Sequence, residues 1–288
     1  MDWNIAISDE ERSERRLSDA TLLAAHQAFR QHGCIIVRGA FDGDHIDTLH
    51  RDYMTRLGAR SPDDLARAAQ QPAPNTVLEV GAARYEITMP LSGAFGSPAF
   101  FAGAIVSQMV DPLLDNDVQL SSLSVVVSCP EAAKQHVHRD YSHLFGHSQI
   151  GGLLPVYGIN VAVPLVDIDA ELGPTAFLPG SHRWPDDHPS EQEETMVVET
   201  VRRGDIMLID YRTLHAGMPN RSQRMRPIAY LVYVRPWFFD EANHRKRIPL
   251  RMSIPDYQAC SEKHQKLLMR AFTYAVRRDE ATSDPVAG

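Results

Sequence analysis

The chain has 288 residues, of which 43% are apolar and 23% are charged, a composition typical of one large globular domain. The formal net charge of −8 argues against nucleic acid as a partner, because binding to phosphates requires a clustered positive surface. The three cysteines are widely spaced, and we find neither a secretory leader nor a membrane-spanning apolar run, so we expect a cytoplasmic protein without disulfides or a membrane partner.

The N-terminal part, residues 1–117, is predicted to be mainly helical. Ser18 can cap a first helix that Gly33 ends, and "GCIIVRGAF" then indicates a short buried strand. Asp42 or Asp44 can begin a second helix, whose apolar face comprises Ile46, Leu49, Tyr53 and Leu57. Residues 61–101 are predicted to be helix and loop, and within them "ARYEITMPL" is expected to form a lid.

From residue 118 to 238 the sequence predicts a β core. Short β-branched runs such as "LSSLSVVVSCP", "YGINVAVPLVDI" and "PIAYLVYVRPWF" are separated by Gly, Pro and Asp, which favours a sandwich or barrel over alternating strand and helix units. The acidic segment "PDDHPSEQEE" is expected to be a solvated loop. A helix is predicted over 255–278 and a disordered tail over 279–288, so that residues 1–278 form a single domain.

The stretch "KQHVHRDYSHLFGH" holds four of the 13 histidines and contains one of three His-x-Asp pairs in the chain. The pairs that begin at His45 and His50 lie in a predicted helix, where residues i and i+2 do not face each other. His138 and Asp140 follow a strand, and in extended chain such residues point to the same side. Only this pair therefore has a plausible geometry for binding a metal.

A third ligand has to come from elsewhere, and the best candidate is His215 in "GDIMLIDYRTLHAG". Two histidines and one carboxylate that leave coordination positions open are typical of non-haem Fe(II) oxygenases. The absence of a nearby cysteine pair argues against structural zinc. His182, in the turn "PGSHRW", is expected to be structural.

His136 leaves an alternative open, because it shares the spacing of His138 and Asp140. A binuclear zinc hydrolase could use these three residues, although its motif requires a further histidine where Tyr141 stands. A cupin metal motif is a poorer match, since its glutamate is missing. The zinc hydrolase remains the second hypothesis.

Four segments in the right order resemble the phytanoyl-CoA dioxygenase-like family of Fe(II)/2-oxoglutarate oxygenases, and most closely its members that oxidise secondary metabolites. They are "HRD" after a strand, "VPLVDIDAELGPTAFLPGSHRW", "RRGDIMLIDYRTLHAG", and "HAGMPNRSQRMR", which places Arg226 eleven residues after His215. The resemblance covers about residues 118–236 and, more loosely, "QHGCIIVRGAF". Leu172 replaces the usual Asn before Gly173, a change in a turn and not in a ligand.

The resemblance implies a mainly β fold with flanking helices, namely a double-stranded β-helix, a cupin-like jelly roll. It implies Fe(II) bound by His138, Asp140 and His215, with 2-oxoglutarate as co-substrate anchored by Arg226. It further implies hydroxylation or another oxidation of an unactivated C–H bond of a small molecule, with consumption of O2 and formation of succinate and CO2.

The role of Arg226 is also physically reasonable, because a carboxylate buried in an apolar barrel needs a partner and a guanidinium can bind it with two parallel hydrogen bonds. Arg224, by contrast, is expected to be a solvated surface residue. Thr175 and Asn160 could add polar contacts to the co-substrate. The residues expected near the substrate are Tyr141, His143 and Phe145 at the pocket mouth, with Tyr85 and Met89 on the lid; His147 is expected in the pocket or at the surface. The sequence is compatible with a homodimer.

Overall fold

The structure is a computed structural model that describes residues 3–57, 61–146, 150–186 and 195–283. Its strands are β1 (Asn4–Ala6), β2 (Cys34–Arg38), β3 (Val77–Gly81), β4 (Arg84–Thr88), β5 (Gln119–Ser128), β6 (Gly158–Pro164), β7 (Thr175–Phe177), β8 (Val197–Val198), β9 (Ile206–Asp210), β10 (His215–Gly217) and β11 (Arg226–Val234).

The helices precede, interrupt and follow these strands. They are α1 (Asp9–Glu14), α2 (Asp19–His32), α3 (Gly43–Leu57), α4 (Pro62–Ala69), α5 (Pro98–Phe101), α6 (Ala104–Val110), α7 (Ile150–Leu153), α8 (Glu241–His244), α9 (Ile254–Gln258), α10 (Glu262–Leu267) and α11 (Met269–Ser283). Within the described residues, none of the helices is both long and apolar enough to cross a membrane.

The ends of α2 follow from its sequence. The Ser18 side chain accepts a hydrogen bond from the backbone N–H of Thr21, and Gly33 ends the helix with a φ of 72°. A Cβ on Gly33 would lie 2.4 Å from Nδ1 of His182 and 2.5 Å from Oγ1 of Thr213. Glycine is therefore required here both by the backbone conformation and by close packing against the β core.

Two sheets form the core of the protein. The large sheet has the order β1-β2-β9-β6-β11-β5-β4-β3, in which β1 and β2 are parallel and the other neighbouring strands are antiparallel. The small sheet has the order β10-β7-β8. Long-range antiparallel pairing of this kind brings segments that are distant in sequence to one site.

Apolar side chains fill part of the space between the two sheets and also cover the outer face of the large sheet. Between the sheets, Ile36, Met207 and Ile228 of the large sheet pack in one cluster with Phe177 of the small sheet. On the outer face, buried residues of α2 and α6 belong to one apolar cluster with strand residues such as Leu231. The predicted fold, a jelly roll with flanking helices, is confirmed.

The segment "ARYEITMPL" is not a lid, and this prediction is wrong. Its residues Arg84–Thr88 form β4, which pairs with β5 inside the large sheet. Because side chains alternate along a strand, Tyr85 and Met89 point into the outer core, whereas Arg84 and Glu86 face the space between the sheets. Residues 61–101 thus contribute two strands in addition to the predicted helix.

The C-terminal region also differs in part from the prediction. It forms three helices, α9 to α11, instead of one, and α11 extends to Ser283, beyond the predicted end at 278. Residues 284–288 of the predicted tail and most of the predicted acidic loop, residues 187–194, lie outside the described residues.

Candidate active site

The two sheets bring three potential metal ligands together. His215 is the first residue of β10, and its backbone exchanges two hydrogen bonds with that of His138, at 3.0 and 2.9 Å. Asp140 lies two residues after His138 in the sequence, and its Oδ1 lies 3.6 Å from Nε2 of His215. Ligand atoms of the three residues all lie within 4.8 Å of one another, close enough to bind one ion.

Backbone carbonyls orient both imidazole rings. Nδ1 of His138 lies 2.9 Å from the carbonyl oxygen of His136, and Nδ1 of His215 lies 3.0 Å from that of Thr213. Because a carbonyl oxygen only accepts, each Nδ1 carries the proton, and the lone pair of each Nε2 is left for a metal. Burial lowers the pKa of His138 to about 4, and proximity to His215 adds to the effect, so His138 is neutral at neutral pH.

The carboxylate of Asp140 is held on the side away from the histidines. Nδ2 of Asn160, on β6, donates to its Oδ2, and Nδ2 of Asn243 donates to its backbone carbonyl at 2.9 Å. The other carboxylate oxygen, Oδ1, is the one beside His215. Asn160, which was predicted to contact the co-substrate, is therefore a hydrogen-bond partner of Asp140, one of the three potential metal ligands.

A cavity of about 310 Å³ extends from this triad into the space between the sheets. Arg226, at the start of β11, lines it, is buried, and donates from Nη1 to the carbonyl oxygen of Gly173. Its Nε has no partner within the described part of the chain. Burial and, to a smaller extent, the neighbouring guanidinium of Arg84 lower the pKa of Arg226 to about 10.

Arg84 is a second buried guanidinium in the same cavity, and this location was not predicted from the sequence. Its Nη2 donates to the carbonyl oxygens of Ala133 and Met218, at 3.1 and 3.3 Å, while Nε and Nη1 have no partner among the described residues. Among the described residues, no carboxylate forms a salt bridge with either Arg84 or Arg226. Two adjacent buried cations with unused N–H groups form a site suited to an anion.

Thr175 and Tyr230 lie in the same cavity. Thr175, the first residue of β7, is buried, and its side chain hydrogen-bonds that of Tyr230 on β11. Arg224, by contrast, is exposed and paired with Asp169 at 3.1 Å, as expected for a surface residue.

The five residues predicted to contact substrate do not line this cavity. Tyr141 packs edge-on against Phe238, and His143 is buried, with Nδ1 2.9 Å from Oδ1 of Asp186. The side chain of Phe145 is 57% exposed. Tyr85 and Met89 are in the outer core because the predicted lid is a strand. His147 lies outside the described residues.

The zinc-hydrolase alternative is not supported. It requires His136 as a ligand, but His136 is exposed, and its ring centroid lies 5.2 Å from that of His138. In the described ranges, the one group of three or more metal-binding side chains consists of His138, Asp140 and His215. A second zinc ion would lack ligands there.

A sequence profile of the phytanoyl-CoA dioxygenase (PhyH) family matches residues 29–228, more than half of the chain. The chain belongs to this family. The resemblance inferred from the four motifs is therefore confirmed.

Curated relatives include iron/alpha-ketoglutarate-dependent dioxygenase penM of Penicillium thymicola, 24% identical over 65% of this chain and 60% of that protein. Another is Fe(II)/2-oxoglutarate-dependent dioxygenase nvfF of Aspergillus novofumigatus, 26% identical over 68% and 65%. The matched stretches cover 38%, 60% and 66% of the first three curated relatives. The chain thus matches between about two fifths and two thirds of their length.

Solved structures support the fold. The epimerase SnoN, in complex with Fe³⁺, alpha ketoglutarate and nogalamycin RO, superposes with a TM-score of 0.56 at 20% identity, over 76% of this chain and 85% of that chain. At this identity the similarity establishes a common fold, and the chemistry of this chain has to be argued from its own residues.

Proposed function

We propose that this chain is a non-haem Fe(II)- and 2-oxoglutarate-dependent dioxygenase that hydroxylates, or otherwise oxidises, a C–H bond of a small-molecule metabolite. O2 is consumed, and succinate and CO2 are formed. One observation carries the proposal: a cavity with two imidazoles and a carboxylate at the metal-binding triad also contains two buried guanidiniums that lack a carboxylate partner in the described residues.

The triad fits Fe(II). Imidazole and carboxylate are suitable ligands for this ion, and the proton on each Nδ1 leaves both Nε2 atoms available. Iron in a site with two histidines and one carboxylate supplies open coordination positions at which a 2-oxo acid and O2 can react. Asn160 binds Oδ2 of Asp140, the backbone bridge joins His138 to His215, and backbone carbonyls orient both rings, so the protein holds these side chains in place before any ion binds.

The guanidiniums fit 2-oxoglutarate, a dianion with one carboxylate at each end. We assign the distal carboxylate to Arg226, whose Nη1 donates to the carbonyl oxygen of Gly173 and whose Nε has no partner among the described residues. Arg84 adds a second positive charge, and the hydroxyls of Thr175 and Tyr230 add polar contacts. In a buried pocket these groups orient the co-substrate and exclude water, and a paired carboxylate there is far less costly than an isolated one.

The partner that the site supports is a small molecule. The cavity lies between the sheets and has a volume of about 310 Å³. Two proteins of similar fold bind small molecules: SnoN binds nogalamycin RO, and HygX of Streptomyces hygroscopicus binds hygromycin B. We propose that the substrate of this chain is a small metabolite, and we assign neither of these two compounds to it. Nucleic acid and membranes are not proposed as partners, and a cytoplasmic location remains a prediction.

The test is spectroscopic. Anaerobic protein loaded with Fe(II) and 2-oxoglutarate should develop a weak metal-to-ligand charge-transfer band in the visible range. Arg224→Met, at an exposed position, should give the same band as the wild type. If iron is bound but no band appears on addition of 2-oxoglutarate, the proposal is wrong.

A further inference from the structure

An ion pair that is not needed for metal or 2-oxoglutarate lines the same cavity. Oε1 of Glu86 accepts hydrogen bonds from Oγ of Ser124, at 2.7 Å, and from Nη1 of Arg247. Nη2 of Arg247 donates to Oγ of Ser122 at 3.2 Å. All four residues face the cavity.

Arg247 has an unused hydrogen-bond donor. The residue is 7% exposed, and its Nε has no partner in the described part of the chain. A buried donor without an acceptor destabilises a protein, and a charged one does so more strongly. A guanidinium that lines a cavity and keeps one N–H unused therefore points to a ligand that supplies the acceptor.

That ligand differs from the 2-oxoglutarate carboxylate assigned to Arg226. In the sheet, Arg226 is in register with Ser128 of β5, whereas Arg247 contacts Ser122 of the same strand. Six residues of extended chain separate the two serines, which corresponds to about 20 Å along the strand. The two arginines therefore contact different regions of the cavity.

The ion pair is connected to the metal-binding triad. Arg247 follows α8, and Asn243 in that helix donates to the backbone carbonyl of Asp140 at 2.9 Å. A molecule that binds Arg247 in the cavity would therefore contact the same short segment, residues 241–247, that also contacts Asp140.

The charges favour an anion. Among the groups that line the cavity, the guanidiniums of Arg84, Arg226 and Arg247 face the carboxylates of Glu86 and Asp140. Arg139 also lines it, but its guanidinium lies 3.4 Å from Asp186 and donates to backbone carbonyls. Since Fe(II) and 2-oxoglutarate have equal and opposite charges, the lining of the loaded cavity as a whole keeps one more positive than negative charge, so its net charge favours an anion over a cation.

We infer that Arg247, held in place by Glu86 and Ser122, binds a carboxylate of the substrate, so that the substrate class is a small carboxylic acid. The inference rests on the proposed function, since it requires 2-oxoglutarate to occupy the end of the cavity near Arg226. Glu86 has a positioning role, because it orients the guanidinium of Arg247 so that Nε remains available to the ligand.

The test uses a panel of small carboxylic acids, each matched with the carboxamide of the same carbon skeleton. The full-length protein is loaded anaerobically with Fe(II) and saturating 2-oxoglutarate, and binding is followed as a change in the charge-transfer band. In the wild type, at least one acid should bind about 10- to 100-fold more tightly than its amide, the range expected for a hydrogen bond to a charged group. In Arg247→Gln this preference should fall below about threefold.

Arg224→Gln is the matched control, because it makes the same change at an exposed arginine outside the cavity. Arg247→Lys, which keeps the charge but lacks the Nε donor, serves as a second variant and should show a reduced preference. The inference is overturned if the wild type prefers no acid over its amide, or if both Arg247 variants retain the wild-type preference. A band that forms without acid preference contradicts only this inference, whereas an absent band with iron bound contradicts the proposed function.

Discussion

His138 and His215 are cross-strand neighbours: their backbones exchange two hydrogen bonds, and their ring centroids lie 4.5 Å apart. Hydrogen bonds between main chains thus place two candidate metal ligands that are distant in sequence next to each other. This arrangement tolerates changes in surrounding side chains, and it means that single substitutions of a ligand should remove the metal without removing the fold.

Substitution of His215 by alanine should abolish stable iron binding, because one of three ligands is lost. We expect affinity to fall by more than the roughly 100-fold that loss of a supporting hydrogen bond can cause. His136→Ala is the matched control and should keep one iron per chain, since His136 is not part of the triad. Metal analysis after anaerobic reconstitution measures both variants; equal iron loss in the two would contradict the assignment.

Substitution of Arg226 by methionine should weaken 2-oxoglutarate binding by about 100-fold or more, because a charged group with two hydrogen-bonding edges is lost. Arg224→Met should be unchanged. The metal-free Arg226→Met protein should be at least as stable as the wild type towards urea, since the variant removes a buried charge that lacks a counter-ion in the described residues. Titration of the charge-transfer band gives the affinity, and retained affinity would show that another group binds the carboxylate.

Replacement of Asn160 by alanine should reduce iron affinity by roughly 10- to 100-fold, because Oδ2 of Asp140 loses the donor that orients it. Asn243→Ala is a useful comparison, since its side chain donates to the backbone carbonyl of Asp140 and not to the carboxylate. We expect its effect to be smaller. Competition with a chromophoric chelator measures both, and the reverse order of effects would argue against this role of Asn160.

Stability should fall as the pH decreases from 6.5 to 4. Burial lowers the pKa of His182 from 6.5 to about 4, so in this window the unfolded chain binds a proton that the folded chain does not. The loss should total roughly 3 kcal/mol below pH 4 and be absent above pH 6.5. In urea unfolding of the metal-free protein, the stability of His182→Asn should depend less steeply on pH than that of the wild type. The pKa values of His138 and His244 are also lowered, so part of the pH dependence should remain in the variant. An unchanged slope would contradict the prediction.

Gly33→Ala should destabilise the protein by about 2–5 kcal/mol, because the new Cβ requires an unfavourable backbone conformation and overlaps His182 and Thr213. Gly43→Ala is the matched control: a Cβ there meets nothing within 4 Å, and alanine favours the helix, so we expect a change within about 1 kcal/mol. Urea unfolding measures the loss of stability in both variants. Similar losses would show that the C-terminal end of α2 can accommodate a side chain at position 33.

The sequence predicted those features that depend on local signals or on ordered motifs. Ser18 and Gly33 delimit α2 as expected, and the positions of His138, His215 and Arg226 in the cavity follow the order of the four motifs. Arg84 was assigned to a lid because its location depends on the pairing of β4 with β5, a contact between segments far apart in sequence.

The alternation of polar and apolar residues in "RYEIT" did contain a usable signal: Arg84 and Glu86 share one face of a strand, and the apolar residues share the other. Arg247, in "HRKRIPL", had no such signal. A basic residue in a charged stretch normally lies at the surface, and its burial against Ser122 follows only from the path of the chain after β11.

The hydrogen bond from Arg226 to the carbonyl oxygen of Gly173 fixes how far the guanidinium lies from the metal ligands. In the proposed binding mode, a diacid that chelates iron at one end has to reach this guanidinium with the other, so we expect the site to discriminate by chain length. Oxaloacetate, one carbon shorter, would stop short of the guanidinium, and 2-oxoadipate, one carbon longer, would have to bend to fit. Because the arginine cannot follow the ligand, neither homologue should replace 2-oxoglutarate efficiently.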